Sequence, residues 1–332
     1  MARIVILGAG GWGTALATLA ANKGHEVSLW ARSEASADEL RSTRVNQRHL
    51  PGVIIPPEVQ ITSQLTPVSE ADYVFWTTPS TALATIAEKV AGSVILRRSA
   101  VLVSCVKGFA HERLLRMSEV LAVAFPQSQV AVLSGPNHAE EIARFIPSAT
   151  VIGSSSEAVA SHLQQILSTN AFRVYSSSDI AGIELGGALK NIFALAAGIC
   201  DGLGLGDNSK AALVTRSLAE LTRLGTALGG KRETFHGLSG MGDLVVTCFS
   251  RYSRNRRVGE RLARGESLSR IVDSMGTTAE GVPTTQSAWE LAAKTKVETP
   301  IIHSVYSILY EKLPPTEAAN RLLSRDLRPE AD

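Results

Sequence analysis

Four glycines fall within six positions near the start of the chain, in Gly8-Ala9-Gly10-Gly11-Trp12-Gly13. They follow a β-branched run, Ile4-Val5-Ile6-Leu7, and open a small-residue stretch with helical character. That order constrains the fold more than any other feature. Gly8 permits a tight turn, Gly10 lets backbone approach a pyrophosphate, and Gly13 lets a helix pack closely on the strand. The helix N-terminus then offers unpaired N–H groups and a partial positive charge to an anion. A G-x-G-x-x-G string alone is weak, but one placed between a strand and a helix marks a dinucleotide site. A second strand ends at Trp30, and Arg32 stands 19 residues past Gly13. An acidic residue there would hold a ribose 2′-hydroxyl, whereas arginine pairs with a 2′-phosphate. The expected cofactor is therefore NADP(H) in preference, with NAD(H) possible. The uncharged stretch Ile4–Ala21 has the length of a signal peptide or short span, but its glycines and its strand-to-helix switch argue against either.

The first half of the chain alternates short apolar runs with helical stretches. Strands are expected at Arg3–Leu7, Glu26–Trp30, Tyr73–Thr77, Ala100–Ser104, Val130–Leu133, Thr150–Gly153 and Phe172–Tyr175. Most lack polar alternation, as strands buried on both faces do. Helices fit between them, for example at Thr14–Lys23, Thr81–Val90 and Glu112–Ala124. From Asp179 onward only helical patterns remain, separated by Gly- or Pro-rich breaks. The expected fold is α/β: an N-terminal Rossmann-type, doubly wound parallel sheet over residues 1–178, then an all-α domain over 179–332. A length of 332 residues suits two domains, and 45% hydrophobic against 19% charged residues supplies ample core. A net charge of +2 speaks against a dedicated nucleic-acid or membrane-surface protein. Three scattered cysteines, Cys105, Cys200 and Cys248, form no disulfide framework and point to a reducing, cytoplasmic setting. The histidines have no H-x-x-x-H or H-E-x-x-H spacing, so no metal is expected.

In an open α/β sheet, ligands bind beyond the carboxyl ends of the parallel strands. That rule selects Thr78-Pro79-Ser80, Val106-Lys107-Gly108 and Ser134 through Ala139 as loops sharing an edge with the glycine loop. Lys107 would place a cation near the reacting end of a nicotinamide, although exposed lysines are the norm. The sharpest anomaly is Lys190-Asn191, set in the otherwise apolar stretch Ile180–Gly198. A buried, unpaired ammonium is costly, so it must find a partner or shift its pKa. Such a lysine is an acid/base candidate, against the alternative of a structural ion pair, for instance with Glu184. Asp243 follows a glycine turn, Gly240-Met241-Gly242. Ser253-Arg254-Asn255-Arg256-Arg257 gathers donors at an expected helix start and suits phosphate oxygens. A nucleic-acid patch would carry more aromatics than Phe249 and Tyr252, and a solvated charged face is the plain alternative.

These ordered motifs resemble the bacterial-type NAD(P)-dependent sn-glycerol-3-phosphate dehydrogenases over nearly the whole chain. The resemblance rests on GAGGWGTALA at 8–17, Asn46 with HLPG at 49–52, VKG at 106–108 and SGPNHAEEIA at 134–143. In the second half it rests on GGALKNIFALAAG at 186–198, DGLGLGDNSKAALVTR at 201–216 and GLSGMGDLVVTC at 237–248. SRNRRVG at 253–259 and EGVPTT at 280–285 complete it. It implies Lys190 as the proton acceptor in glycerol 3-phosphate oxidation and Lys107 as a contact to cofactor and substrate. Gly135, Asn137, Asp243, Ser253, Arg254 and Asn255 would line the site of a small phosphorylated three-carbon substrate. Gly11, Trp12, Arg32, Ala139, Arg254, Thr278 and Glu280 would join the glycine loop in facing the cofactor. Asn137 and Thr278 depart from the commoner Thr and Val at those places. The implied role is reduction of dihydroxyacetone phosphate, supplying glycerol 3-phosphate for phospholipid synthesis, by a homodimer. A ketopantoate reductase-like enzyme would share the plan without a phosphate clamp, and an NADP(H)-sensing regulator would need neither clamp nor buried lysine.

Overall fold

The computed structural model describes residues 1–275, 279–327 and 329–330. Among the described residues ten strands form: β1 Arg3–Leu7, β2 Glu26–Trp30, β3 Gln60–Thr62, β4 Tyr73–Trp76 and β5 Val101–Ser104, then β6 Phe109–Ala110, β7 Leu115–Arg116, β8 Gln129–Ser134, β9 Ser148–Ser154 and β10 Phe172–Ser177. Eight of them make one sheet in the order β10-β9-β8-β5-β4-β1-β2-β3, with β6 and β7 paired apart. Neighbours run parallel except β8 and β9, which are antiparallel, so β9 and β10 oppose the rest. β1 pairs with β2 on one side and β4 on the other. The chain order therefore reverses at β1, and a crevice opens past its carboxyl end.

Alternate β1 residues enter different cores. Ile4 and Ile6 pack with Leu16 and Leu19 of helix Gly11–Asn22 and Leu163 of helix Glu157–Leu167. Val5 and Leu7 pack with Leu83 and Val90 of helix Ser80–Ser93 and Leu121 of helix Met117–Ala124. This two-sided burial is why the central strands read as unbroken apolar runs. The stretch Ile4–Ala21 is thus β1 and most of the first helix.

Helix Ile180–Gly202 centres the second half and is buried from Gly182 to Cys200. It is long and apolar enough to cross a bilayer by length and composition, yet it is wholly enclosed by protein. Asp179 caps it by accepting from Gly182 N at 2.9 Å, and also accepts from Lys231 N at 2.9 Å and Thr234 Oγ1 at 2.6 Å. Helices Arg254–Ala263, Asp243–Phe249, Gly206–Ala227, Gly281–Thr295 and Pro300–Tyr310 surround it.

One expected helix shifts, and two elements went unread. The helix expected over Glu112–Ala124 begins only at Met117, because β6 and β7 form a hairpin with Leu114 at φ 53°. Arg116 ends that hairpin, and Glu119 accepts from Arg116 N at 2.8 Å to start the helix. Strand β3 went unread because it is a three-residue edge strand with one apolar residue, Ile61, between Gln60 and Thr62. The apolar run after Asp243 is a helix, Asp243–Phe249, entered through a π-helical turn at Leu238–Gly242.

Candidate functional site

The glycine loop has the backbone its sequence demands. Gly8 adopts φ +125°. A Cβ on Gly13 would sit 1.9 Å from the Gly8 carbonyl oxygen and 2.6 Å from Thr77 Oγ1. Gly10 faces open space, with nothing within 4 Å of a would-be Cβ. Gly10 also begins helix Gly11–Asn22 with no side-chain cap, leaving the first-turn N–H groups for an outside acceptor. Asn46 Nδ2 donates to Ala9 O at 3.0 Å and to Thr14 Oγ1 at 2.8 Å, tying the loop down. Trp12 and Ala139 each pack on the small cluster of Ala15, Leu50, Val53 and Ala143 beside it, and Arg32 lies exposed just past β2. An open glycine, uncapped donors and a nearby cation fit a dinucleotide.

Across the crevice lies an ionic cluster. Lys190 Nζ donates to Asp243 Oδ1 at 2.8 Å and to Thr247 Oγ1 at 2.6 Å. Lys107 Nζ donates to Asp243 Oδ2 at 2.5 Å and to Gly135 O at 2.9 Å. Lys190 is 6% exposed and Asp243 1%. Burial brings the Lys190 ammonium down to about 8, with Asp243 opposing that shift and Lys107 adding to it. Burial pushes the Asp243 carboxyl up, but the two lysines outweigh it and hold Asp243 below the ordinary aspartate value. The lysine's partner is thus Asp243, not Glu184. Glu184 instead accepts from Ser118 N at 2.8 Å, from Ser118 Oγ and from Arg116 Nη1 at 3.1 Å.

A chain of amides runs alongside. Asn191 Nδ2 donates to Lys107 O at 3.3 Å, and Asn255 Nδ2 donates to Asn191 Oδ1 at 2.8 Å. Gly281 N donates in turn to Asn255 Oδ1 at 2.9 Å. Ser253 caps helix Arg254–Ala263, its Oγ accepting from Arg256 N at 3.2 Å. That leaves the backbone N–H groups of Arg254 and Asn255 at a helix N-terminus, with the exposed Arg254 side chain above them. The Arg254 charge acts on both His49 and Glu280. Arg256 is not part of a clamp, since its Nε donates to Asp201 Oδ2 at 2.5 Å.

Glu280 accepts from Ser80 N at 3.0 Å and from Ser80 Oγ at 2.5 Å, at the start of helix Ser80–Ser93. Gly135, at φ +147°, brings its backbone against Thr150 Cα, 3.1 Å from a would-be Cβ. Asn137 Nδ2 donates to Thr150 Oγ1 at 2.9 Å. Thr278 lies outside the described residues. Sequence reasoning did not single out Thr247, although its position four residues after Asp243 puts it on the same helix face. It also left Asn191 without a role, and that residue's neighbour Lys190 was the available signal.

A dinucleotide cradle facing a buried lysine–aspartate–lysine cluster defines a two-part, dinucleotide-dependent oxidoreductase. The family profile described as NAD-dependent glycerol-3-phosphate dehydrogenase N-terminus matches residues 3–160, and the corresponding C-terminus profile matches 179–320. A glycerol-3-phosphate dehydrogenase [NAD(P)+] of Pelodictyon phaeoclathratiforme is 46% identical, over 99% of each chain. That of Geobacter sulfurreducens is 45% identical, over 99% of this chain and 98% of its own. The crystal structure of glycerol-3-phosphate dehydrogenase from Coxiella burnetii superposes with a TM-score of 0.93 at 37% identity, covering 98% of this chain and 99% of that one. The chain belongs to the NAD-dependent glycerol-3-phosphate dehydrogenase family.

Proposed function

We propose that this chain reduces dihydroxyacetone phosphate to sn-glycerol 3-phosphate, reversibly, with NADP(H) in preference to NAD(H). Family membership supports the reaction. The observation that carries its chemistry is the shared Asp243 carboxylate gripping Lys190 and Lys107 opposite the glycine loop. When bound, the reduced nicotinamide supplies the hydride to substrate carbon 2.

The protein's own groups do the rest. As carbon 2 is reduced, negative charge grows on its oxygen. The Lys190 ammonium faces that charge and gives the oxygen its proton, ending neutral. In the reverse direction neutral Lys190 takes the proton back. Asp243 orients Lys190, and Thr247 accepts a second of its N–H bonds, leaving the third donor for substrate. Lys107, held by Asp243 and Gly135 O, adds a second positive charge beside cofactor and substrate. Arg254 and the N-terminus of helix Arg254–Ala263 hold the phosphate, with Ser253 and Asn255 fixing that backbone. Remote binding energy of this kind positions the carbonyl. Gly135 and Asn137 complete the substrate side. Gly8, Gly10, Gly11, Trp12, Gly13, Arg32, Ala139, Thr278 and Glu280 serve the cofactor, with Arg32 meeting the 2′-phosphate. Residues 1–178 act as the dinucleotide-binding domain and 179–332 as the helical substrate domain. The family resemblance further supports a cytoplasmic homodimer whose product feeds phospholipid synthesis.

The test is loss of NADPH absorbance on adding dihydroxyacetone phosphate, with dihydroxyacetone and ketopantoate as controls. Fast loss with the phosphorylated ketone alone is expected. Activity only on an unphosphorylated keto acid would overturn the substrate assignment, and no activity on any of the three would overturn the enzymatic reading.

A further inference from the structure

A second ionic cluster lies at the first turn of helix Arg254–Ala263. Asp201, one residue from the end of helix Ile180–Gly202, accepts from Lys210 Nζ at 2.9 Å and 2.8 Å through its two oxygens. It also accepts from Arg256 Nε at 2.5 Å. Lys210, on helix Gly206–Ala227, is only 6% exposed. One carboxylate thus holds two cations, and each of these bonds is charge-assisted.

The cluster grips both ends of the link at 250–253, which joins helix Asp243–Phe249 to helix Arg254–Ala263. At the first end, Lys210 Nζ lies over the Phe249 ring, 4.7 Å from its centroid. At the second end, helix Ile180–Gly202 holds Arg256 at two levels. Asp201 takes its side chain, and Gly198, three residues earlier on the same face, lies against its carbonyl oxygen, 1.9 Å from a would-be Cβ. Arg256 N in turn donates to Ser253 Oγ at 3.2 Å. The turn fixed in this way carries the Arg254 and Asn255 backbone N–H groups and the Arg254 side chain, the proposed holders of the substrate phosphate.

We propose that Asp201 is a positioning residue for that phosphate, acting through Arg256 to fix the turn that receives it. The assignment deepens the proposed reduction of dihydroxyacetone phosphate and rests on it. Its sign sets it apart from a plain field effect. A carboxylate near an anion site repels the anion, so by charge alone Asp201→Asn would tighten phosphate binding. The released Arg256 guanidinium would also be free to meet the phosphate itself. Positioning predicts the opposite, a weaker grip.

The experiment measures KM and kcat for dihydroxyacetone phosphate at saturating NADPH, together with thermal unfolding, in Asp201→Asn, Arg256→Met and the double variant. Asp201→Asn is expected to raise KM by ~10-fold, the scale of one hydrogen bond to a charged group. Its kcat should stay nearly unchanged, since a grip equal in ground and transition states shows in KM alone. Because Asp201 acts through Arg256, the double variant should raise KM no further than the larger single change. A KM that falls or stays put in Asp201→Asn would overturn the assignment, and so would additive effects in the double variant. So would a loss of kcat and of Tm with KM kept, which would make Asp201 a support of the fold and not of the turn. Arg256→Met reaches the same joint from the other side, and an unchanged KM there overturns the assignment even if Asp201→Asn does not fold. Wild-type inactivity toward dihydroxyacetone phosphate would instead sink the function on which the assignment rests.

Discussion

Lys190 is a buried amine whose charge depends on two neighbours of opposite sign. Its ammonium sits near 8, lowered by burial and by Lys107 and raised by Asp243. In the proposed role of proton carrier, Lys190 must be charged for one direction of reaction and neutral for the other. Ketone reduction needs the ammonium and should fall as pH rises through about 8, whereas alcohol oxidation needs the free amine and should rise over the same range. Lys190→Ala should lower turnover by ~100-fold or more in both directions, the scale of general acid–base help. Asp243→Asn removes the group that raises Lys190, so the limb in the reduction profile should move to lower pH. A limb that stays put in Asp243→Asn, measured as kcat against pH, would separate Lys190 from that titration. Arg32 makes a second residue-level prediction. Arg32→Ala should raise KM for NADPH while leaving KM for NADH nearly alone, because only the former brings a 2′-phosphate.

At the scale of elements, the site depends on how closely helix Arg254–Ala263 lies on helix Ile180–Gly202. A Cβ on Gly259 would fall 2.0 Å from Leu195 O, and one on Gly198 would fall 1.9 Å from Arg256 O. Backbone meets backbone there, so no side chain can yield. Gly259→Ala should force the helices apart, destabilise the fold by ~1–3 kcal/mol as overpacking does, and raise KM for the phosphorylated substrate by displacing Arg254. Thermal unfolding together with KM would check it, and an unshifted midpoint would show that the contact relaxes without cost. These glycines were visible in the sequence, but their reason was not, because close approach of distant helices is a tertiary fact. The same divide separates what was legible from what was not. Strands β1 and β2 were read to their exact ends because burial on both faces leaves uninterrupted apolar runs. Lys190 stood out because charge in an apolar helix breaks a local rule. Its partner could not be read, since Asp243 lies 53 residues away. Arg256 looked like one more phosphate ligand until the fold paired it with Asp201.

For the whole molecule, the sheet-bearing and helical halves meet through polar contacts as well as apolar ones. Lys107 reaches Asp243, Ser80 reaches Glu280, and Glu184 on the central helix takes Ser118 and Arg116 from the sheet side. The first two belong to the crevice, while Glu184 is a joint away from the reacting groups. Burial pushes its carboxyl above the ordinary 4.5, and the Ser118 and Arg116 contacts only partly oppose that. A carboxyl raised in the folded state stabilises in its protonated form. Its contribution is present below 4.5 and is lost as pH rises through the folded value. Glu184→Gln keeps an acceptor for Ser118 N and removes the ionisation. Its stability relative to wild type should therefore improve as pH rises from 4.5 toward neutrality. Glu184→Ala leaves Ser118 N without an acceptor in a buried setting and should lose ~1–3 kcal/mol. Denaturant unfolding of the three proteins at several pH values tests this. If Glu184→Gln and wild type run parallel across the range, the joint does not titrate. If Glu184→Ala is as stable as wild type, these bonds do not hold the halves together.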